Sequence, residues 1–319
     1  MDSVPEKLLL ATPRGYCAGV DRAVQTVERA LELYGAPVYV RKEIVHNKHV
    51  VEQLRARGAV FVDSETEVPE GATVVFSAHG VAPTVHANSR RLGLQTIDAT
   101  CPLVTKVHRE ANKFAAEGYT IVLIGHAGHE EVEGTMGEAP QDIVLIENED
   151  DVDALEVKDP GKVAYISQTT LSVDETSAII DRLRERFPAI VGPRTDDICY
   201  ATTNRQAAVK QLANACDLVL VIGSRNSSNS NRLVEVAREH GAVSHLIDNE
   251  AQVREQWLVD MRVVGITSGA SAPEELVQRL VDFFRARGTT DVQELEVVQE
   301  DVRFMLPKAI RQAIAAASA

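Results

Sequence analysis

The chain has no apolar stretch approaching the roughly 20 residues that span a bilayer; its longest runs, such as LVLVI at 218–222, are far shorter. Its first segment, MDSVPEKLLLATPRG, has no basic region, long apolar region or small-residue cleavage site, so no secretory leader is expected. Cations are scarce as well. Lys and Arg number 33 against 47 Asp and Glu, a net charge of −14, which argues against broad binding to nucleic acid or anionic membrane. No GxxxxGK(S/T) phosphate loop occurs. Four cysteines, with no CxxC pair, neither build a disulfide framework nor match an ordinary structural zinc site. What these absences leave is a cytoplasmic protein with a small-molecule partner.

Within 319 residues, 45% apolar and 25% charged, the composition is that of a globular protein able to bury more than one core. Three cysteines share one context, an extended or turn-rich segment followed by a helical pattern: LLLATPRGYCAGVDRAVQTVERALE, QTIDATCPLVTKVHREANKFAAEG and TDDICYATTNRQAAVKQLANA. Cys17, Cys101 and Cys199 are each predicted to begin a helix. Cys216, in LANACDLVLV, reads as an inert core thiol.

The spacing repeats downstream. Cys17 precedes His46 by 29 positions, Cys101 precedes His129 by 28, and Cys199 precedes Ser227 by 28, each time across a strand-like run. A second strand follows each time, TVVFSAHG to His79, KVAYISQTT to Thr169 and Thr170, and RVVGITSGAS to Ser271. The pattern is a threefold repeat of α/β units with mainly parallel sheets, and such sheets present ligand groups at the carboxyl ends of their strands. Three units could thus converge on one centre. Boundaries are expected near residues 100 and 196, giving units 1–100, 101–196 and 197–285 and a C-terminal arm 286–319, with the first strand KLLLA pairing in the third unit.

A thiol at a helix N-terminus is biased toward the thiolate that binds metal. Zinc would take a fourth ligand. An iron–sulfur cluster held by three cysteines leaves one iron open as a Lewis acid, and the isolated single cysteines favour it.

The segments PRGYCAGVDRAV, IDATCPLVTKVH, IGHAGHEEVEGTMG, ISQTTLSVDET, DICYATTNRQ, IGSRNSSNSNRLVEVA and TSGASAPEELV resemble the motifs of the 4-hydroxy-3-methylbut-2-enyl diphosphate reductase family. These are the last enzymes of the non-mevalonate isoprenoid pathway. The likeness runs from about residue 8 to the tail motif EDVRFMLPKAI. It implies three α/β units arranged pseudo-threefold around a 4Fe-4S cluster on Cys17, Cys101 and Cys199, whose open iron takes the allylic hydroxyl of the substrate. It implies an external electron donor such as ferredoxin or flavodoxin. It makes Glu131 the proton source, His46, His79, His129, Ser227, Ser228, Asn229 and Ser271 the diphosphate ligands, and Thr169, beside Thr170, the partner of the substrate hydroxyl. Burial and nearby negative charge should raise the Glu131 pKa, and protonated histidines could supply positive charge.

His126 reads as structural, and Thr202 as a weak supporting candidate near Cys199. His49, His86, His108, His240 and His245 read as surface or capping histidines. Two rivals remain: an iron–sulfur carrier or sensor, which gains nothing from converging His, Ser, Asn and Glu, and a mononuclear hydrolase built on His126, His129 and Glu131. The glycines at 125, 128 and 134 predict a loop there rather than a ligand-bearing helix.

Overall fold

The computed structural model describes residues 4–317. In chain order, β1 (Lys7–Thr12) leads through the Cys17 loop to α1 (Ala18–Tyr34), followed by β2 (Val38–Arg41), α2 (Lys48–Ala56), β3 (Ala59–Val62), β4 (Thr73–Phe76), α3 (Pro83–Arg91) and β5 (Gln95–Asp98). After Cys101 come α4 (Pro102–Ala116), β6 (Thr120–Ile124), α5 (Glu130–Met136), β7 (Ile143–Ile146), α6 (Glu149–Ala154), β8 (Val163–Ser167) and α7 (Val173–Arg186). After Cys199 come α8 (Tyr200–Ala215), β9 (Leu218–Ile222), α9 (Ser228–Glu239), β10 (Val243–Ile247), β11 (Val263–Ser268), α10 (Glu274–Ala286), β12 (Asp291–Glu296) and α11 (Lys308–Ala317). All paired strands of the three sheets run parallel, as the alternation of strands and helices predicts. No described helix is long and apolar enough to cross a membrane.

The chain divides into two compact units. Unit one comprises the segment ending at Val20, His46–Val50 and Tyr200–Arg303; unit two comprises Asp21–Val45, Val51–Cys199 and the segment from Phe304. Unit one holds a five-stranded sheet in the order β10-β9-β11-β1-β12. β9 is buried along its whole length, as a continuous apolar run in a parallel sheet should be when helices cover both faces. Its alternate residues separate accordingly. Leu218, Leu220 and Ile222 pack with Leu276, Leu280 and Phe284 of α10, while Val219 and Val221 pack with Leu212 of α8 and Leu233 of α9. Each fully buried Leu or Ile contributes about 1.5–3 kcal/mol of transfer free energy.

Unit two holds two sheets, β3-β2-β4-β5 and β7-β6-β8. β6 repeats the logic of β9. Ile121 and Leu123 pack with Val107 and Phe114 of α4, and Val122 and Ile124 with Ile179 and Leu183 of α7. Beside β8 runs the segment that leads to Cys199, bridged at Ala164 and Val191. The strand before Cys101, β5, likewise lies against β4, and the strand before Cys17, β1, lies against β11.

Candidate active site

Each of the three cysteines stands immediately before a helix, Cys17 before α1, Cys101 before α4 and Cys199 before α8, and each is half-buried. Their backbones are tied down in one way. The N–H of Cys17 donates to the Ala270 carbonyl (3.2 Å), that of Cys101 to Ala78 (3.0 Å) and that of Cys199 to Thr169 (3.1 Å). Every acceptor lies just past a strand, β11, β4 and β8 respectively, and the chain before each cysteine runs beside that same strand, as β1, β5 and the segment bridged at Val191. A half-buried thiol held at the positive end of a helix is a donor of the kind an iron–sulfur cluster takes, and each of the three cysteines offers one. Cys216 packs instead against the β9 core, and burial pushes its thiol up to about 12, as befits an inert group.

In unit two the stretch after β6 forms a short helix. His129 is its N-cap, with Nδ1 accepting the Glu131 N–H at 3.1 Å, and acidic residues fill the first turn, where the helix dipole favours them. The Nδ1 edge of the ring thus fastens the start of the helix. The loop predicted from the glycines is thus partly overturned: Gly134 lies inside α5. Gly134 lets α5 pack closely on the loop after His79, where a Cβ on it would lie 3.3 Å from the Gly80 backbone; just past the helix, a Cβ on Gly137 would fall far inside the Ala82 side chain. That close approach brings His79 to Glu130 (Nδ1 to Oε2, 3.0 Å) and sets the rings of His79 and His129 edge to face at 5.9 Å.

Glu131, the second residue of α5, is 2% exposed. Its Oε1 accepts the Thr169 N–H at 2.7 Å and its Oε2 the Thr169 hydroxyl at 2.9 Å. Burial raises its pKa to about 7, against the lowering pull of the two Thr169 hydrogen bonds. The nearby negative charge of Asp197 adds only a minor push. A carboxyl group poised near neutrality can hold and release a proton at physiological pH. Thr170 accepts through Oγ1 from Gln168 Nε2 (2.9 Å), and Gln168 Oε1 accepts the His126 N–H (3.1 Å).

In unit one the corresponding helix is α9. Ser227 caps it, and Asn229, its second residue, is 5% exposed. Asn229 Oδ1 accepts the Ala270 N–H at 2.9 Å while its Nδ2 is buried without a protein partner, an orphaned donor awaiting an acceptor. Ser271 Oγ lies 3.5 Å from Ser227 Oγ and donates to the His46 carbonyl at 2.9 Å; His46 Nδ1 is 3.4 Å from Asn226 Nδ2. Ser228 opens α9 beside them. Hydroxyl and amide donors clustered at a helix N-terminus suit an anion.

His126, His129 and Glu131 do not gather closely enough to hold one ion among the described residues. His126 lies partly exposed, 3.6 Å from Glu147. Thr202 is buried within α8. Of the histidines read as surface or capping groups, His240 does bond a carbonyl of its own helix, but His108 is buried, with Nδ1 2.8 Å from Glu138. His245 stacks on Trp257, and His49 pairs with Glu275.

Several supporting residues escaped the sequence reading. Buried Asp197 accepts the Ser167 N–H (2.9 Å) and the Lys106 ammonium (2.9 Å), fastening the loop that carries Cys199; its only signal was the Asp pair in TDDICY. Arg205, wholly buried, donates to the Gly15 carbonyl (2.8 Å) and to Glu300 (3.1 Å), joining the Cys17 loop to the tail motif.

The family model described as LytB protein matches residues 8–285. A 4-hydroxy-3-methylbut-2-enyl diphosphate reductase of Nocardia farcinica is 61% identical over 307 residues, 96% of this chain and 91% of that protein. One of Leifsonia xyli is 59% identical over 311 residues, covering 97% of this chain and 92% of its own. Among solved structures, the E-1-hydroxy-2-methyl-but-2-enyl-4-diphosphate reductase from Plasmodium falciparum superposes with a TM-score of 0.96 at 37% identity, covering 99% of this chain and all of its own. A second, (E)-4-hydroxy-3-methyl-but-2-enyl diphosphate reductase, described as the terminal enzyme of the non-mevalonate pathway, gives 0.63 at 31% identity, covering 88% of this chain and 99% of its own. The chain belongs to the LytB family.

Proposed function

We propose that this chain reduces 4-hydroxy-3-methylbut-2-enyl diphosphate, consuming two electrons and two protons and releasing water to give isopentenyl and dimethylallyl diphosphates. Enzymes of the family are iron–sulfur proteins, and Cys17, Cys101 and Cys199 are the ligands of a 4Fe-4S cluster in this reading. When bound, the cluster supplies the electrons and an open iron for the allylic hydroxyl. An external donor of the ferredoxin or flavodoxin kind refills it.

The observation that carries the proposal is the buried Glu131–Thr169 pair. Below about pH 7 Glu131 is protonated. Its proton can then be donated to Thr169 Oγ1, reversing the 2.9 Å bond, and the threonine proton is released to point at the departing hydroxyl. The pair thus passes a proton inward while burial keeps water away. Ser227, Ser228, Asn229 and Ser271 bind the diphosphate with neutral donors, joined by His46, His79 and by His129 through Nε2. Thr170 orients beside Thr169. With few protein cations available, hydrogen-bond donors carry the anion's recognition.

The test is anaerobic purification, iron and sulfide analysis and a visible spectrum, followed by dithionite, a mediator and the substrate. About four irons per chain with release of the two C5 diphosphates is the expected result. A filled cluster without turnover would leave an electron carrier, and zinc in place of iron would overturn the assignment of the cysteines.

A further inference from the structure

We infer that Ser230, which is itself out of reach of any ligand, makes Ser227 an obligate hydrogen-bond donor and thereby sets the affinity of the α9 cradle for a diphosphate. The inference rests on the reading of that cradle as a diphosphate site. Ser230 is wholly buried. Its backbone N–H donates to Ser227 Oγ at 3.3 Å, and its hydroxyl donates to the same oxygen at 2.9 Å. A serine oxygen has two lone pairs and one proton. With both lone pairs engaged, Ser227 has only its O–H left to offer. The neighbouring Ser271 Oγ, 3.5 Å away, is too distant to hold that proton firmly and directs its own to the His46 carbonyl.

A phosphoryl oxygen, which only accepts, is the partner for such a hydroxyl. A ligand that offers N–H or O–H donors finds no acceptor there. Were Ser230 absent, Ser227 could turn, donate elsewhere and present a lone pair that repels the anion.

The fold makes room for this arrangement at two glycines. Gly223, just after β9, and Gly269, just after β11, flank Ser230 so closely that a Cβ on either would fall far inside contact with Ser230 Oγ. The glycines of IGSRNSS and TSGAS are therefore the walls of the slot in which the Ser230 hydroxyl sits. The orphaned Nδ2 of Asn229, one residue earlier, points independently to an acceptor ligand at the same helix start.

Calorimetric titration of the anaerobic holoprotein with inorganic diphosphate, on wild type, Ser230→Ala, Ser227→Ala and the double variant, tests the role. Ser230→Ala is expected to weaken diphosphate binding about tenfold, the scale of one hydrogen bond to a charged group. The KM for substrate should rise by the same factor, with kcat, iron content and the visible spectrum held. The double variant should bind no more weakly than Ser227→Ala, because Ser230 acts only through Ser227. Unchanged affinity in Ser230→Ala, or a loss that persists undiminished in the Ser227→Ala background, overturns the inference. Wild-type affinity in Ser227→Ala would instead bring down the diphosphate reading of the cradle, and the role of Ser230 with it.

Discussion

The helices α5 in unit two and α9 in unit one are two versions of one device, and they differ at a single decisive place. Each follows the fully buried strand of its sheet, each starts from a side chain that caps it, His129 or Ser227, and each buries its second residue. In α5 that residue is Glu131, whose carboxyl accepts the Thr169 N–H; in α9 it is Asn229, whose amide oxygen accepts the Ala270 N–H. The carbonyls of Thr169 and Ala270 in turn accept from the N–H groups of Cys199 and Cys17. The framework of hydrogen bonds is shared. The chemistry differs because a carboxyl near pKa 7 can trade a proton, whereas an amide accepts through its oxygen and donates through its NH2 without changing charge.

The sharpest way to break this distinction is to make α5 resemble α9. Glu131→Gln keeps the acceptor for the Thr169 N–H but has no proton to give, so kcat should fall about 10²- to 10⁴-fold in steady-state assays while calorimetry finds diphosphate binding intact. The converse change, Asn229→Asp, removes the orphaned donor and sets a negative charge against an anion. Diphosphate affinity should drop on the order of 10²-fold, with the cluster spectrum preserved. A smaller effect is expected from pH. Activity should decline as pH rises through about 7, where Glu131 loses its proton, and in the residual activity of Thr169→Val, which lacks the relay hydroxyl, that limb should move upward, because the hydroxyl bond it removes favours the ionised form. A pH–rate profile of both proteins checks the direction. The same raised value means that the folded chain holds this proton more tightly than the unfolded one, so this group's contribution to stability diminishes from about pH 4.5 toward 7. The smallest effect belongs to His126→Ala, which removes only a partly exposed pairing with Glu147; thermal unfolding should shift by no more than about 0.5 kcal/mol and turnover should be unchanged.

Much of this was legible in the residues. The apolar runs at 120–124 and 218–222 are the buried central strands of two sheets, and the cysteines do open helices, because both features are local and carry a local signature. What the sequence withheld depends on neighbours distant along the chain. His108 looks like any solvent histidine until the fold seats it beside Glu138. The helix of α5 was hidden because glycine ordinarily argues against helix, and only the close packing of Gly134 on the Gly80 backbone makes it an asset. Arg205 and Glu300 are 95 residues apart and share no motif. The serine run SSNS reads as a polar turn, and nothing within it distinguishes Ser230, with its buried hydroxyl, from its neighbours; the glycines that confine it are Gly223 and Gly269.

The position of β1 bears on how the protein is made. Among the described residues this strand pairs with β11 and β12, whose residues begin about 250 positions later and so leave the ribosome well after it. At roughly 5–20 residues per second of synthesis, KLLLAT waits for about 10–50 s with no partner of its own, while the two sheets of unit two, whose strands are neighbours in sequence, have every partner already translated. The Cys17 loop waits with it, since its backbone is anchored on Ala270. Nascent chains arrested before β11 should therefore retain the cores of unit two yet expose an apolar strand and an unfastened thiol, which makes them substrates for chaperones and proteases rather than for metal loading.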